Sequence, residues 1–119
     1  MMTQSRNHTL NVPGATLAYD VRPKDTTTEP ILLLIGSPMG AAGFGTLSSH
    51  FADRTVVTYD PRGTGRTIRH DGRTDLDPEQ QAEDLHSIIG ALDAGPLDIF
   101  ASSGGAVSAL ALVAAHPGM

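Results

Sequence analysis

Ser103 has the sequence context of an activated nucleophile. It lies in Ile99-Phe100-Ala101-Ser102-Ser103-Gly104-Gly105-Ala106-Val107, which reads as a strand, a sharp turn and a helix. That order lifts a serine hydroxyl out of a sheet, and its general pattern is G-x-S-x-G. For the chain to reverse, the residues two positions either side of the serine must be nearly free of side chain. Ala101 and Gly105 meet that demand, with alanine where glycine is usual. The rival register, centred on Ser102, puts Phe100 where a large ring has no room. A small-residue strand-to-helix turn without chemistry is the third reading. All three stay open at this point, with Ser103 preferred.

The elements that must position this turn are legible as patterns. Thr9–Val12 and Ala15–Val21 alternate apolar and polar residues across Pro13-Gly14, predicting an N-terminal hairpin. The polar stretch 22–30 is a surface loop. Ile31–Ile35 is continuously apolar and of strand length, the pattern of a strand buried on both faces. A small-residue loop, 36–43, leads to a short helix over 44–51. Thr55–Tyr59 is the next strand, ending in the glycine-rich 60–67; residues 68–76 read as loop. Asp77-Pro78-Glu79-Gln80 has the features of a helix start, with Asp77 as cap. Ala82, Leu85, Ile88, Ile89 and Leu92 then recur at helical spacing. Leu97–Phe100 feeds the serine turn. The last helix, 105–115, is almost all Ala, Leu and Val, so burial on more than one side is expected. Strands separated by helices indicate an α/β domain with a largely parallel sheet, in which ligands bind beyond the carboxyl ends of the strands. The three small-residue loops follow strands ending near 35, 59 and 100, so all three converge on one rim.

Composition narrows the function classes. The 119 residues make one domain at most, with 39% apolar content and a net charge of −5. Lys24 is the single lysine, and nothing in the balance indicates a nucleic-acid partner. The absence of cysteine excludes disulfides, a thiolate nucleophile and cysteine-ligated zinc. The N-terminal residues show no apolar signal-peptide core, and no apolar run approaches the ~20 residues that span a bilayer. The expectation is a cytoplasmic protein with no membrane partner.

Three segments together resemble the α/β-hydrolase family over essentially the whole chain. Leu34-Ile35-Gly36-Ser37-Pro38 is similar to its oxyanion loop, with Ile35 where many members carry histidine. Asp60-Pro61-Arg62-Gly63-Thr64-Gly65-Arg66-Thr67 is similar to its D-x-R-G-x-G-x-S turn, with Thr67 for serine. Ala101–Gly105 is similar to its nucleophile elbow. The resemblance implies the N-terminal half of an α/β-hydrolase fold: a mostly parallel sheet with an antiparallel N-terminal hairpin and helices on both faces. Residues 1–119 then form an incomplete domain, the first five strands of a sheet ordered 1-2-4-3-5-6-7-8. On that resemblance, the family's C-terminal half and cap are expected to be absent from these residues.

The resemblance also implies the chemistry. Ser103 attacks an acyl carbonyl, and the backbone N–H groups of Gly104 and Ser37 form the oxyanion hole; Pro38 has no N–H to offer. The substrate is a small acyl compound, an ester, lactone or amide, and no cofactor or metal is implied. A serine at this position argues against dehalogenase or epoxide hydrolase chemistry, which uses aspartate. Asp60 and Arg62 brace the second loop, whose Gly63-Thr64-Gly65 lacks the context of a phosphate cradle. Arg62, Arg66, Arg69 and Arg73 read as a solvated loop or, less favoured, as a site for an anionic substrate.

A serine also needs a base, and the base an orienting carboxylate. In this family both follow the serine in sequence. His116 lies on the elbow's own helix ~18 Å away at 1.5 Å per residue. His8, His50, His70 and His86 read as surface histidines. The chain is therefore expected to be inactive alone, a fragment or one piece of a two-piece assembly. Its last strand is an open edge for a second chain or a homodimer to cover. The alternative function is a non-catalytic, self-associating binding module.

Overall fold

The computed structural model describes residues 6–24, 29–37, 40–51, 53–72, 77–93 and 96–117. Strands β1 (Arg6–Val12) and β2 (Ala15–Arg22) form the expected hairpin, in register from Arg6 opposite Val21 to Val12 opposite Ala15. Then come β3 (Leu32–Ser37), a 3-10 turn (Ala41–Phe44), α1 (Gly45–Ser49), β4 (Val56–Asp60), β5 (Ile68–Arg69), α2 (Pro78–Leu92), β6 (Asp98–Ser103) and α3 (Gly104–Ala115). The sheet runs β1-β2-β4-β3-β6, with β5 paired to β2 off that path. Apart from β5 this is the order implied by the resemblance. The sheet is mixed: β4, β3 and β6 are parallel, whereas β2 joins β1, β4 and β5 antiparallel. The two-residue β5 falls where the sequence reads as loop. Its Ile68 side chain is exposed, so no alternation betrays it, and the pairing of Ala15 with Arg69 and Thr16 with Ile68 defines the strand.

β3 is buried on both faces, as its apolar run requires. Leu33 and Ile35 point to one side, where Leu17, Val57, Tyr59, Ala82, Leu85, Ile88 and Leu112 join sheet, α2 and α3 into the main core. Leu32 and Leu34 point to the other, onto Phe44, Leu47 and Phe51 beside α1. Each fully buried Leu or Ile contributes about 1.5–3 kcal/mol by leaving water. Asp77 caps α2 by accepting from the Glu79 N–H at 3.0 Å, with Pro78 in the first turn. Among the described residues, no helix is long and apolar enough to cross a membrane.

α3 departs from its expected burial. Gly105, Ser108 and Leu112 are buried, but Val107, Leu110 and Val113 are 53%, 72% and 55% exposed. One stripe of the helix packs on β3 and α2, and no described residue covers the rest. The uniformly apolar composition conceals that division, because it has no polar face to mark the open side. Phe100 on β6, the terminal strand of the sheet path, is likewise exposed.

Candidate active site

Ser37, Asp60 and Ser103 end the three parallel strands, so the loops that follow share one rim of the sheet. Ser103 terminates β6 and caps α3 with φ 55° and ψ −129°. It and Asp93 are the non-glycine residues with positive φ among those described. A serine there carries backbone strain of about 1–3 kcal/mol, which persists only where the surroundings impose it. The turn residue is thus Ser103 and not Ser102, and its side chain is exposed at the rim.

Gly105 is what lets the turn close. A Cβ at this position would lie 2.5 Å from the Ile35 carbonyl oxygen and 2.9 Å from Gly36 Cα. The first turn of α3 therefore rests directly on the β3 backbone. β3 and β6 pair in parallel with Gly36 opposite Ser102 and Ser37 opposite Ser103. This brings the backbone of Ser37 beside the start of α3, whose first residue is Gly104; N–H groups of a helix's first turn have no partner within the helix. The structure thus brings Ser37, Ser103 and Gly104 together. Pro38 and Met39 lie outside the described residues.

The neighbouring loop is held by Asp60. Its Oδ1 accepts the Ala41 N–H at 2.8 Å, and its Oδ2 accepts the Arg66 N–H at 2.9 Å and Arg66 Nε at 2.8 Å. Gly65, at φ 49°, passes so close that a Cβ would sit 2.5 Å from Asp60 Oδ2. Thr67 Oγ1 donates to the Asp60 carbonyl at 2.5 Å and accepts the Ala18 N–H at 2.9 Å. One carboxylate ties the loops after β3 and β4 together, and the threonine ties the second to β2.

Burial pushes the Asp60 pKa up, but the hydrogen bonds from Arg66 and Ala41, with the Arg66 charge, outweigh it and hold the carboxyl below its usual range. A carboxyl depressed in the folded state stabilises fully above its unfolded value, about 3.9, and loses that contribution as pH falls through the folded value. The stability gap between the chain and Asp60→Asn is therefore expected to shrink on acidification from pH 5 downward. Urea titrations at several pH values measure it, and a gap independent of pH would contradict the assignment.

Arg62, Arg66 and Arg69 are held in ion pairs rather than left as free cations of a solvated loop. Arg62 is 3% exposed and grips Asp84 of α2 through Nε–Oδ2 at 2.7 Å and Nη2–Oδ1 at 3.0 Å. It also donates to the Pro13 carbonyl and lies 3.3 Å from Asp71. Arg66 is paired with Asp20 and Asp60, and Arg69 with Asp71. Arg73 lies outside the described residues. A cavity of about 570 Å³ lined by Asp20, Gly40, Ala41, Ser48, Asp60 and Arg66, among others, abuts this loop, and its charged groups face one another.

No histidine stands at Ser103. His8 stacks on Tyr19 from β1, four strands away along the sheet path, about 19 Å at the usual strand spacing. His70 Nε2 lies 3.0 Å from Thr16 Oγ1 beside β2. His50 caps the end of α1, where Arg22 bonds the Ser48 and Phe51 carbonyls beside the amino end of β4. That end of the sheet is opposite the rim. His86, read from sequence as a solvent-facing residue of α2, is instead half-buried and stacked on His116, with ring centroids 3.7 Å apart. The sequence gives no sign of this pairing, which depends on how α2 packs on α3.

No family model matches the chain. The uncharacterized hydrolase YraK of Bacillus subtilis (strain 168) is 37% identical over 113 residues, which are 93% of this chain and 40% of YraK. A Pseudomonas aeruginosa structure assigned as an epoxide hydrolase superposes with a TM-score of 0.79 at 25% identity, covering 95% of this chain and 38% of its own. An α/β hydrolase from Novosphingobium aromaticivorans shares the fold with a TM-score of 0.79 at 23% identity, covering 98% and 41%. The chain thus spans about two-fifths of the length of the proteins it matches.

Proposed function

We propose that this chain, which belongs to the α/β-hydrolase superfamily and carries the N-terminal half of its fold, supplies the nucleophile and oxyanion hole of a serine hydrolase. The bond cleaved is an ester, lactone or amide, and the reaction runs through an acyl-enzyme on Ser103. The observation that carries this reading is the positive φ of Ser103 at a strand–helix junction whose backbone neighbour is Ser37.

The mechanism follows from that placement. Ser103 Oγ attacks the acyl carbonyl carbon as its proton leaves to a base. The carbonyl oxygen gathers the negative charge and is received by the Gly104 and Ser37 N–H groups. The tetrahedral adduct collapses, the leaving group departs protonated, and water then cleaves the acyl–Ser103 ester by the same steps. One such donor is worth about 3–4 kcal/mol in the transition state. A serine, rather than aspartate, at the elbow favours acyl chemistry over epoxide opening. The base and its carboxylate come from outside residues 1–119, because the five histidines sit elsewhere in the fold. The chain alone therefore has negligible turnover. The β6 edge and α3 face that no described residue covers, with Phe100, are where the completing part of the fold would seat.

The test uses a fluorophosphonate probe and a p-nitrophenyl ester on the chain alone and on the chain joined to the remaining part of YraK. Labelling is expected in the joined protein and lost in Ser103→Ala. Turnover by the chain alone that His50→Ala or His70→Ala abolishes would overturn the claim that the base lies outside. The exposed Phe100 and α3 side chains favour a second reading, a self-associating module without catalysis. A stable dimer by light scattering, together with a joined protein that never labels, would select it.

A further inference from the structure

The two helices that carry the elbow's support also bring together a cluster remote from it. Glu83 and His86 are one turn apart on α2, and His116 terminates α3, its N–H bonded to the Leu112 carbonyl at 2.9 Å. His116 Nε2 lies 3.0 Å and 3.3 Å from the two oxygens of Glu83, and its ring lies 3° from parallel with that of His86. One donor atom from each of the three residues falls within 4.8 Å of the others. We propose that Glu83, His86 and His116 form a binding site for a divalent cation of the zinc class, which clamps α2 to the end of α3.

The donor set is two imidazoles and one carboxylate. That is the chemistry of zinc and its neighbours in the transition series, whereas magnesium and calcium demand oxygen. Three protein ligands leave a fourth, open position. His116 Nε2 and the Glu83 carboxylate already face each other at hydrogen-bond distance, and a metal ion would sit between them in place of that contact. Two ligands at 2.0–2.1 Å from one tetrahedral ion stand about 3.4 Å apart, so the donor atoms, now within 4.8 Å of one another, must close up slightly. Parallel rings cannot both hold one ion in their planes, and binding must fan the stack open. Both histidines are partly exposed, and the last torsion of a histidine is soft, so the rotation is available. The ion would also face the negative end of the α3 dipole. Glu83 is exposed and outside the core, which leaves solvent access for loading.

The experiment is calorimetric titration of the tag-free, EDTA-stripped full chain with zinc chloride, followed by His-ring NMR signals. One equivalent is expected to bind, shifting the His86 and His116 ring resonances and raising the melting temperature. His116→Ala and His86→Ala should each weaken binding about tenfold or more, since even outer-shell changes cost 10–100-fold. Glu83→Gln preserves the shape of α2 and should weaken binding without altering the far-UV spectrum, separating ligand loss from misfolding. His50→Ala and His70→Ala should bind as the parent does. No binding of zinc into the millimolar range, an affinity untouched in His116→Ala and Glu83→Gln, or equal binding of calcium would each overturn the site.

Discussion

Replacing Asp84 with alanine is expected to destabilise the chain by about 3–5 kcal/mol, the range for removing one partner of a buried ion pair. Arg62 and Asp84 are 3% and 2% exposed and joined by two parallel hydrogen bonds. Truncating the carboxylate strands a guanidinium in the core, and Arg62 cannot neutralise itself by losing a proton. Its hydrogen bonds to Asp84 hold its pKa above even the usual arginine range, against the opposing pull of burial. The bond to Pro13 and the contact with Asp71 soften the loss without replacing the missing charge. Small domains have only 5–15 kcal/mol in all, so the variant is expected to unfold at low urea. Replacing both residues by apolar ones of similar size should recover part of the loss, because the pair's attraction is largely offset by the cost of desolvating it. A single variant within 1 kcal/mol of the parent would show that the pair is open to water.

The pair also marks where sequence reading runs out. The strand–turn–helix junction at Ser103 was legible because its constraint is local: Ala101 and Gly105 stand two residues from Ser103, and the steric demand acts across that distance. The strand order was legible through the resemblance, and the double-faced burial of β3 through its unbroken apolar run. Arg62 was not, because its partner lies 22 residues on and faces it only once α2 docks on the sheet. Arginine in a polar, glycine-rich loop looks solvated until that docking is known. The His86–His116 stack fails for the same reason across 30 positions. β5 escaped because two residues hold no periodicity, and the α3 stripe because a helix without polar residues has no pattern to break.

Gly105→Ala is expected to damage the site more selectively than its size suggests. The added methyl meets backbone at 2.5 Å and 2.8 Å, the Ile35 carbonyl oxygen and carbon, and neither can move without disturbing the β3–β6 pairing. α3 must lift from the sheet instead, a strain of about 1–3 kcal/mol on the scale of overpacked interiors. That displacement carries Gly104 away from Ser37, although Ser103 keeps its hydroxyl. Losing one oxyanion donor slows acyl transfer by about 10²–10³-fold, so labelling of the joined protein by fluorophosphonate should fall to that extent. Ser103→Ala, by contrast, should abolish labelling while leaving the packing of α3 on β3 intact. Comparing labelling rates and urea midpoints for the two variants separates position from chemistry. If Gly105→Ala labels at the parent rate, the Gly104 N–H is not a donor to the oxyanion, and the hole must be sought elsewhere along the rim.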